Sequence, residues 1–167
     1  MPGAGSNCNV EGISASGTSV FSYIERMSRN TKTCLIIDDD TDDQEIFAAA
    51  LDELGGTYKC VAVSSGVDAL KMFRENIYFT PDYIFLDLNM PRLNGKECLR
   101  EIKAIPHLTD IPVIIYTTST SSQDIIDTRK LGATSFITKP FSISELMDVL
   151  KTFFQEYESV EVKTIKD

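Results

Sequence analysis

With 167 residues, 43% of them hydrophobic and 25% charged, the chain is long enough for one globular domain with a sizeable core and flanking tails. A net charge of −9 and the lack of a Lys/Arg cluster argue against nucleic-acid binding, which needs basic groups to meet phosphates. Apolar runs reach only about five residues against the ~20 of a membrane-spanning helix, and the N-terminus shows no secretory signal pattern, so a cytoplasmic protein away from membranes is expected.

Residues 1–31 are rich in Ser, Gly, Asn and Thr and read as a flexible tail, with Val20-Phe-Ser-Tyr-Ile24 as the one stretch suited to a short docked helix. From Thr33 the pattern alternates. Strands are expected near 33–38, 58–63, 83–87, 112–117 and 134–138, and helices near 42–54, 66–75, 95–104, 122–131 and 142–155. Thr41-x-x-Gln44 and Ser142-x-x-Glu145 read as capping boxes. Ile46, Phe47, Ala50, Leu51 and Leu54 form one helical stripe; Ile143, Leu146, Met147, Leu150, Phe153 and Phe154 form another. Gly55-Gly56 and Gly132 stand where helices end in a left-handed residue. Five βα repeats imply a doubly wound α/β fold, a five-stranded parallel sheet with five helices on both faces. The domain is expected over 32–156, followed by a polar C-terminal tail over 157–167. Cys8, Cys34, Cys60 and Cys98 have no CxxC spacing and His107 is the only histidine, which argues against zinc; three of the thiols read as small reduced core residues.

The chemistry gathers where the apolar runs stop. Asp38 and Asp39 end Cys34–Ile37, Asp87 ends Tyr83–Leu86, and Lys139-Pro140 closes Ser135–Thr138. Ligands of open α/β sheets bind at the carboxyl ends of the strands. Carboxylates crowded there do not all stay ionised without a cation among them, a setting suited to Mg²⁺ and a phosphoryl group.

Four pieces in order, Leu35-Ile-Ile-Asp-Asp-Asp40, Pro81-Asp-Tyr-Ile-Phe-Leu-Asp-Leu-Asn-Met-Pro91 with Gly95, Ile111-Pro-Val-Ile-Ile-Tyr-Thr117 and Gly132-Ala-Thr-Ser-Phe-Ile-Thr-Lys-Pro-Phe141, resemble the receiver domain of two-component response regulators, of the stand-alone type, over roughly residues 32–155. The resemblance implies a flavodoxin-like strand order 2-1-3-4-5. It implies that Asp87 is the phosphoacceptor, that Asp38, Asp39, Asp87 and the backbone carbonyl of Asn89 hold Mg²⁺, and that Thr117 and Lys139 contact the phosphoryl group. Thr117, Phe136 and Pro140 would then form the switch, with a cis bond before Pro140. Asp40 reads as a helix-start residue, and Asp42 and Asp43 as a solvated first-turn face.

Phe136 stands where the family often has Tyr or His, and Thr118 where a smaller residue is common. Thr117-Thr-Ser119, Asp87–Arg92 and the Pro106–Pro112 linker look more like receivers associated with phytochrome-type kinases. The implied partners are a sensor histidine kinase or a histidine phosphotransfer protein, and a downstream protein bound through the fourth helix, fifth strand and fifth helix; dimerisation on phosphorylation stays open. A relay intermediate that passes its phosphate to a histidine phosphotransfer protein is the alternative role. A haloacid-dehalogenase-type phosphatase is a distant alternative: Asp38 and Asp40 fit its Asp-x-Asp, but residue 42 is Asp rather than Thr or Val and no second acidic cluster follows. An EF-hand fails because residue 43 is not Gly and residue 49 is Ala. A Ser-His-Asp hydrolase fails because His107 has no nucleophile elbow nearby.

Overall fold

The computed structural model describes residues 31–164, with side chains through residue 160; Cys8 and the Val20–Ile24 stretch lie outside the described residues. The elements are β1 (Lys32–Ile37), α1 (Thr41–Asp52), β2 (Tyr58–Val63), α2 (Gly66–Glu75), β3 (Tyr83–Leu86), α3 (Gly95–Ala104), a 3₁₀ turn (Pro106–Leu108), β4 (Val113–Thr117), α4 (Ser122–Lys130), β5 (Ser135–Thr138) and α5 (Ile143–Thr164). All strand pairings are parallel and the order is β2-β1-β3-β4-β5. β1, β3 and β4 lie inside the sheet, which is why their runs are apolar on both faces, whereas β2 and β5 form half-buried edges.

Side chains alternate across each strand and so sort into two cores. Leu35, Ile37, Ile84, Leu86, Val113 and Ile115 pack with Leu70 and Phe73 of α2 and Leu99 and Ile102 of α3. Cys34, Ile36, Tyr83, Phe85, Ile114 and Tyr116 pack with Phe47 and Leu51 of α1 and Leu146, Leu150 and Phe154 of α5. Cys34 and Cys98 are buried and Cys60 is half-buried, all three free. Burial pushes the Cys98 thiol up to about 12 and that of Cys60 to about 11, so neither offers a thiolate near neutral pH.

Each helix of the described residues starts on a polar side chain that accepts a backbone N–H: Asp40, Ser65, Asn94, Ser121 and Ser142. Asp40 thus has the helix-start role expected of it, and the Thr41-x-x-Gln44 capping box is corrected. The cap lies one residue earlier, and Gln44 instead donates to the Asp38 carbonyl at 2.6 Å. Gly55, Gly56 and Gly132 have φ of 88°, 76° and 95°, as their places after α1 and α4 required. Ile46 and Ile143 are exposed rather than core: Ile46 lies at the rim of the Phe47–Ala50–Leu51 stripe, and Ile143 is the first residue of its helix.

Residue 95 must lack a Cβ. A Cβ there would meet the Asp87 carbonyl and lie 2.6 Å from Leu88 Cα, both rigid backbone. Gly95 therefore lets the start of α3 press on the loop leaving β3, and its N–H donates to the Leu88 carbonyl at 3.0 Å.

The expected end of α5 at 155 is also corrected, because the helix continues to Thr164, into the stretch read as a polar tail. Tyr157 extends the apolar stripe, with its ring 5.8 Å from that of Tyr83 and 5.7 Å from that of Phe153. Glu158 Oε1 accepts from Lys32 Nζ at 2.7 Å, Tyr58 OH at 3.0 Å and Tyr83 OH at 3.1 Å, joining α5 to the first residues of three strands. Burial works against its charge, but these donors prevail and hold its carboxyl below the usual glutamate range.

Glu158→Gln is expected to lower stability by about 1 kcal/mol in urea unfolding at neutral pH, since the carboxylate is part-exposed and screened. A carboxyl depressed in the native state stabilises fully above the unfolded glutamate value and loses that contribution as pH falls through the native one; the difference between wild type and Glu158→Gln should therefore shrink across that acid window. Gly95→Ala is expected to cost about 1–3 kcal/mol in the same measurement, because backbone must shift to admit the methyl group.

Candidate functional site

The sheet order reverses between β1 and β3, and a crevice opens outside their carboxyl ends. β1 delivers Asp38 and Asp39, β3 Asp87, β4 Thr117 and β5 Lys139. The structure thus brings together the four pieces that the chain spreads over a hundred residues.

Asp38 is fully buried. Its Oδ1 accepts the Asp40 N–H at 3.0 Å, and its Oδ2 lies 2.7 Å from Lys139 Nζ. Burial raises its pKa against the opposing pull of the lysine. Asp87 is 5% exposed. Its Oδ2 is 3.8 Å from Lys139 Nζ, while Oδ1 is buried with no hydrogen bond. One carboxylate oxygen each from Asp38, Asp39 and Asp87 fall within 4.8 Å of one another, with Asp39 open to solvent. Three oxygens so placed, in a pocket where Asp38 Oδ2 and Asp87 Oδ1 both lack a hydrogen bond, are a donor set for a small hard cation.

Lys139 sits at the centre of this arrangement. Burial disfavours its charge, but the Asp38 and Asp43 carboxylates beside it more than offset that and raise its pKa, so it stays an ammonium. It also lies 5.5 Å from the centre of the Tyr116 ring. The expected cis bond before Pro140 is corrected: no cis peptide occurs among the described residues. Trans is the cheaper isomer, and the lysine still reaches inward because its N–H donates to the Thr117 carbonyl at 2.8 Å and its stem is long.

Thr117 is fully buried, and its Oγ1 accepts from Ser119 N–H at 3.3 Å and weakly from Asn89 Nδ2 at 3.5 Å. Asn89 itself is exposed at the rim. Phe136 is half-buried, paired in register with Ile115, and lines a small hollow with Ile125, Thr128 and Arg129 of α4. Asp42 is exposed as expected, but Asp43 is not a solvated bystander: its Oδ2 is 2.6 Å from Lys139 Nζ. Nothing local marks it, because its partner is 96 residues away. Asp40 Oδ1 accepts the Asp42 and Asp43 N–H groups, the helix-start role rather than a place in the carboxylate cluster.

The fold and sequence are similar to those of known proteins. Residues 34–151 match the response regulator receiver domain. The phosphate regulon transcriptional regulatory protein PhoB of Pseudomonas aeruginosa is 35% identical over 120 residues, 72% of this chain, which spans half the length of that protein. Response regulator Rcp1 of Synechocystis sp. is 28% identical over 128 residues, 74% of this chain and 87% of that one. Among solved structures, the phosphorylated cyanobacterial phytochrome response regulator RcpA superposes with a TM-score of 0.70 at 30% identity, covering 78% of this chain and 96% of that one. The Mn²⁺-bound form of Rcp1 gives 0.64 at 28% identity, covering 72% and 90%. With its flavodoxin-like order and its acidic pocket at the switch point, the chain belongs to the response regulator receiver domain family of two-component signalling.

Proposed function

We propose that this chain takes a phosphoryl group onto Asp87 from the phosphohistidine of a sensor kinase or phosphotransfer protein and signals by contact with a downstream protein. The observation that carries the reading is Asp87 Oδ1, a buried carboxylate oxygen with no hydrogen bond, beside an ammonium. That oxygen is free to attack phosphorus. As the O–P bond forms, the P–N bond of the donor breaks, and its electrons remain on the imidazole nitrogen, which takes up a proton. Asp38, Asp39, Asp87 and the Asn89 carbonyl would hold Mg²⁺, which when bound offsets the negative charge gathered at the phosphoryl oxygens. Lys139 supplies the second positive charge, and the Thr117 hydroxyl a hydrogen bond. Acyl-phosphate hydrolysis is then the only turnover.

The output surface in this reading is the α4–β5–α5 face. Ser119 N–H donates to Thr117 Oγ1, and Ser119 Oγ donates to Asp124 Oδ2 of α4 at 2.5 Å, so a movement of Thr117 is felt at α4. Phe136 packs beside the same helix and would follow. A groove between β5 and α5, with Ile137, Val149 and Phe153 among its walls, adjoins it. Likeness to RcpA supports a phytochrome-type kinase as the donor. No helix among the described residues is long and apolar enough to cross a membrane, in keeping with action in the cytoplasm.

Incubation with a small acyl-phosphate donor should add one phosphoryl group by intact mass in the presence of Mg²⁺ and none after chelation or in Asp87→Asn; full labelling of that variant overturns the site. Asp39→Ala should reduce labelling at fixed Mg²⁺ by roughly tenfold or more. Lys139→Ala should keep some labelling but lose the donor-dependent change in hydrogen exchange at α4.

A further inference from the structure

Lys139 is engaged more closely with Asp43 and Asp38 than with Asp87. Its Nζ is 2.6 Å from Asp43 Oδ2 and 2.7 Å from Asp38 Oδ2, but 3.8 Å from Asp87 Oδ2. Asp43 reaches it from the first turn of α1, and that turn is braced by Asp40, whose Oδ1 accepts the N–H of both Asp42 and Asp43. The Asp43 carboxylate is 31% exposed and the lysine side chain 8%, so one partner of the pair is wet and the other is not. An ammonium has three N–H donors in a compact tetrahedral head. One is donated to Asp43 at the start of α1, and the Asp38 carboxylate at the end of β1 stands within ion-pair distance of the same head. A phosphoryl group on Asp87 would bring new acceptor oxygens to the β3 side of the head, in competition with the 2.6 Å contact to Asp43.

The geometry points to Asp43 as a positioning residue that holds Lys139 on the α1 side of the pocket in the resting state and opposes its transfer to the phosphoryl group. The inference rests on Asp87 being the phosphoacceptor. Asp43 thereby sets how readily the lysine answers phosphorylation. Its carboxylate is isosteric with an Asn amide and part-exposed, so the charge is removable with little loss of packing.

The test titrates beryllofluoride, a phosphoryl analogue, at saturating Mg²⁺ into wild type, Asp43→Asn, Lys139→Met and the double variant, by isothermal titration calorimetry carried into the millimolar range. Asp43→Asn should bind the analogue roughly fivefold more tightly than wild type, in line with a part-exposed ion pair. The gain should vanish in the Lys139→Met background, and Asp43→Glu, which restores the carboxylate, should return affinity toward wild type. Unchanged or weaker binding by Asp43→Asn overturns the inference. So does an equal gain in the Lys139→Met background, since Asp43 would then act on the anion by its field alone. Wild type that takes up no beryllofluoride overturns the Asp87 reading itself.

Discussion

Two buried carboxylates share one ammonium at the carboxyl edge of the sheet, and the surrounding structure serves to make that tolerable. Asp38 is wholly buried and Asp87 nearly so, and desolvating such charges is expensive unless they are paired. Lys139 is the cation the fold provides, and it is shared among Asp38, Asp43 and, at longer range, Asp87. Four carboxylates including Asp39 against one lysine leave the pocket short of positive charge. That shortage, and the unpartnered Asp87 Oδ1, make the pocket receptive to a further cation and to a group that brings its own acceptor oxygens.

The sheet can carry this strain because its other parts are firmly tied. Its central strands are apolar on both faces, and helices cover both. At the end away from the pocket, Glu158 gathers Lys32, Tyr58 and Tyr83, so the long α5 is fastened to the starts of β1, β2 and β3. Tyr58 stacks on Phe154 with ring centres 3.9 Å apart, adding an aromatic contact to the polar one. The family match ends at residue 151, so Phe154 and Glu158 lie beyond it on the continuation of α5.

α4 is held differently. α3 buries Cys98, Leu99 and Ile102, whereas α4 buries only Thr128. What fixes α4 is largely polar: Lys96 Nζ lies 2.9 Å from Asp124 and 2.8 Å from Asp127, and Ser119 holds Asp124 from the loop after β4. Part-exposed ion pairs are worth little each, so α4 is held less firmly than α3, whose apolar face is buried. A helix with a small apolar anchorage, tethered by hydrogen bonds to the buried Thr117, is suited to answering an event at the pocket.

Periodicity alone placed the five strands within a residue or so of their observed limits, because a buried parallel strand must be apolar throughout and its loops must be polar. The same reading put Asp38, Asp39, Asp87, Thr117 and Lys139 at strand ends, and parallel pairing carried all five to one edge. It failed where identity depends on a distant partner. Asp43 resembled any first-turn acid until Lys139, 96 residues later, arrived beside it. Glu158 resembled part of a charged tail until three strand starts met it. Gln44 suited a capping box, but the fold offered it the Asp38 carbonyl instead. Local pattern therefore settled the elements and the order of the chemistry, because both follow from short-range sterics and the water-avoidance of runs a few residues long. Which charges pair, how far α5 extends and how loosely α4 is held were decided only by packing, because long-range contacts leave no spacing in the chain to read.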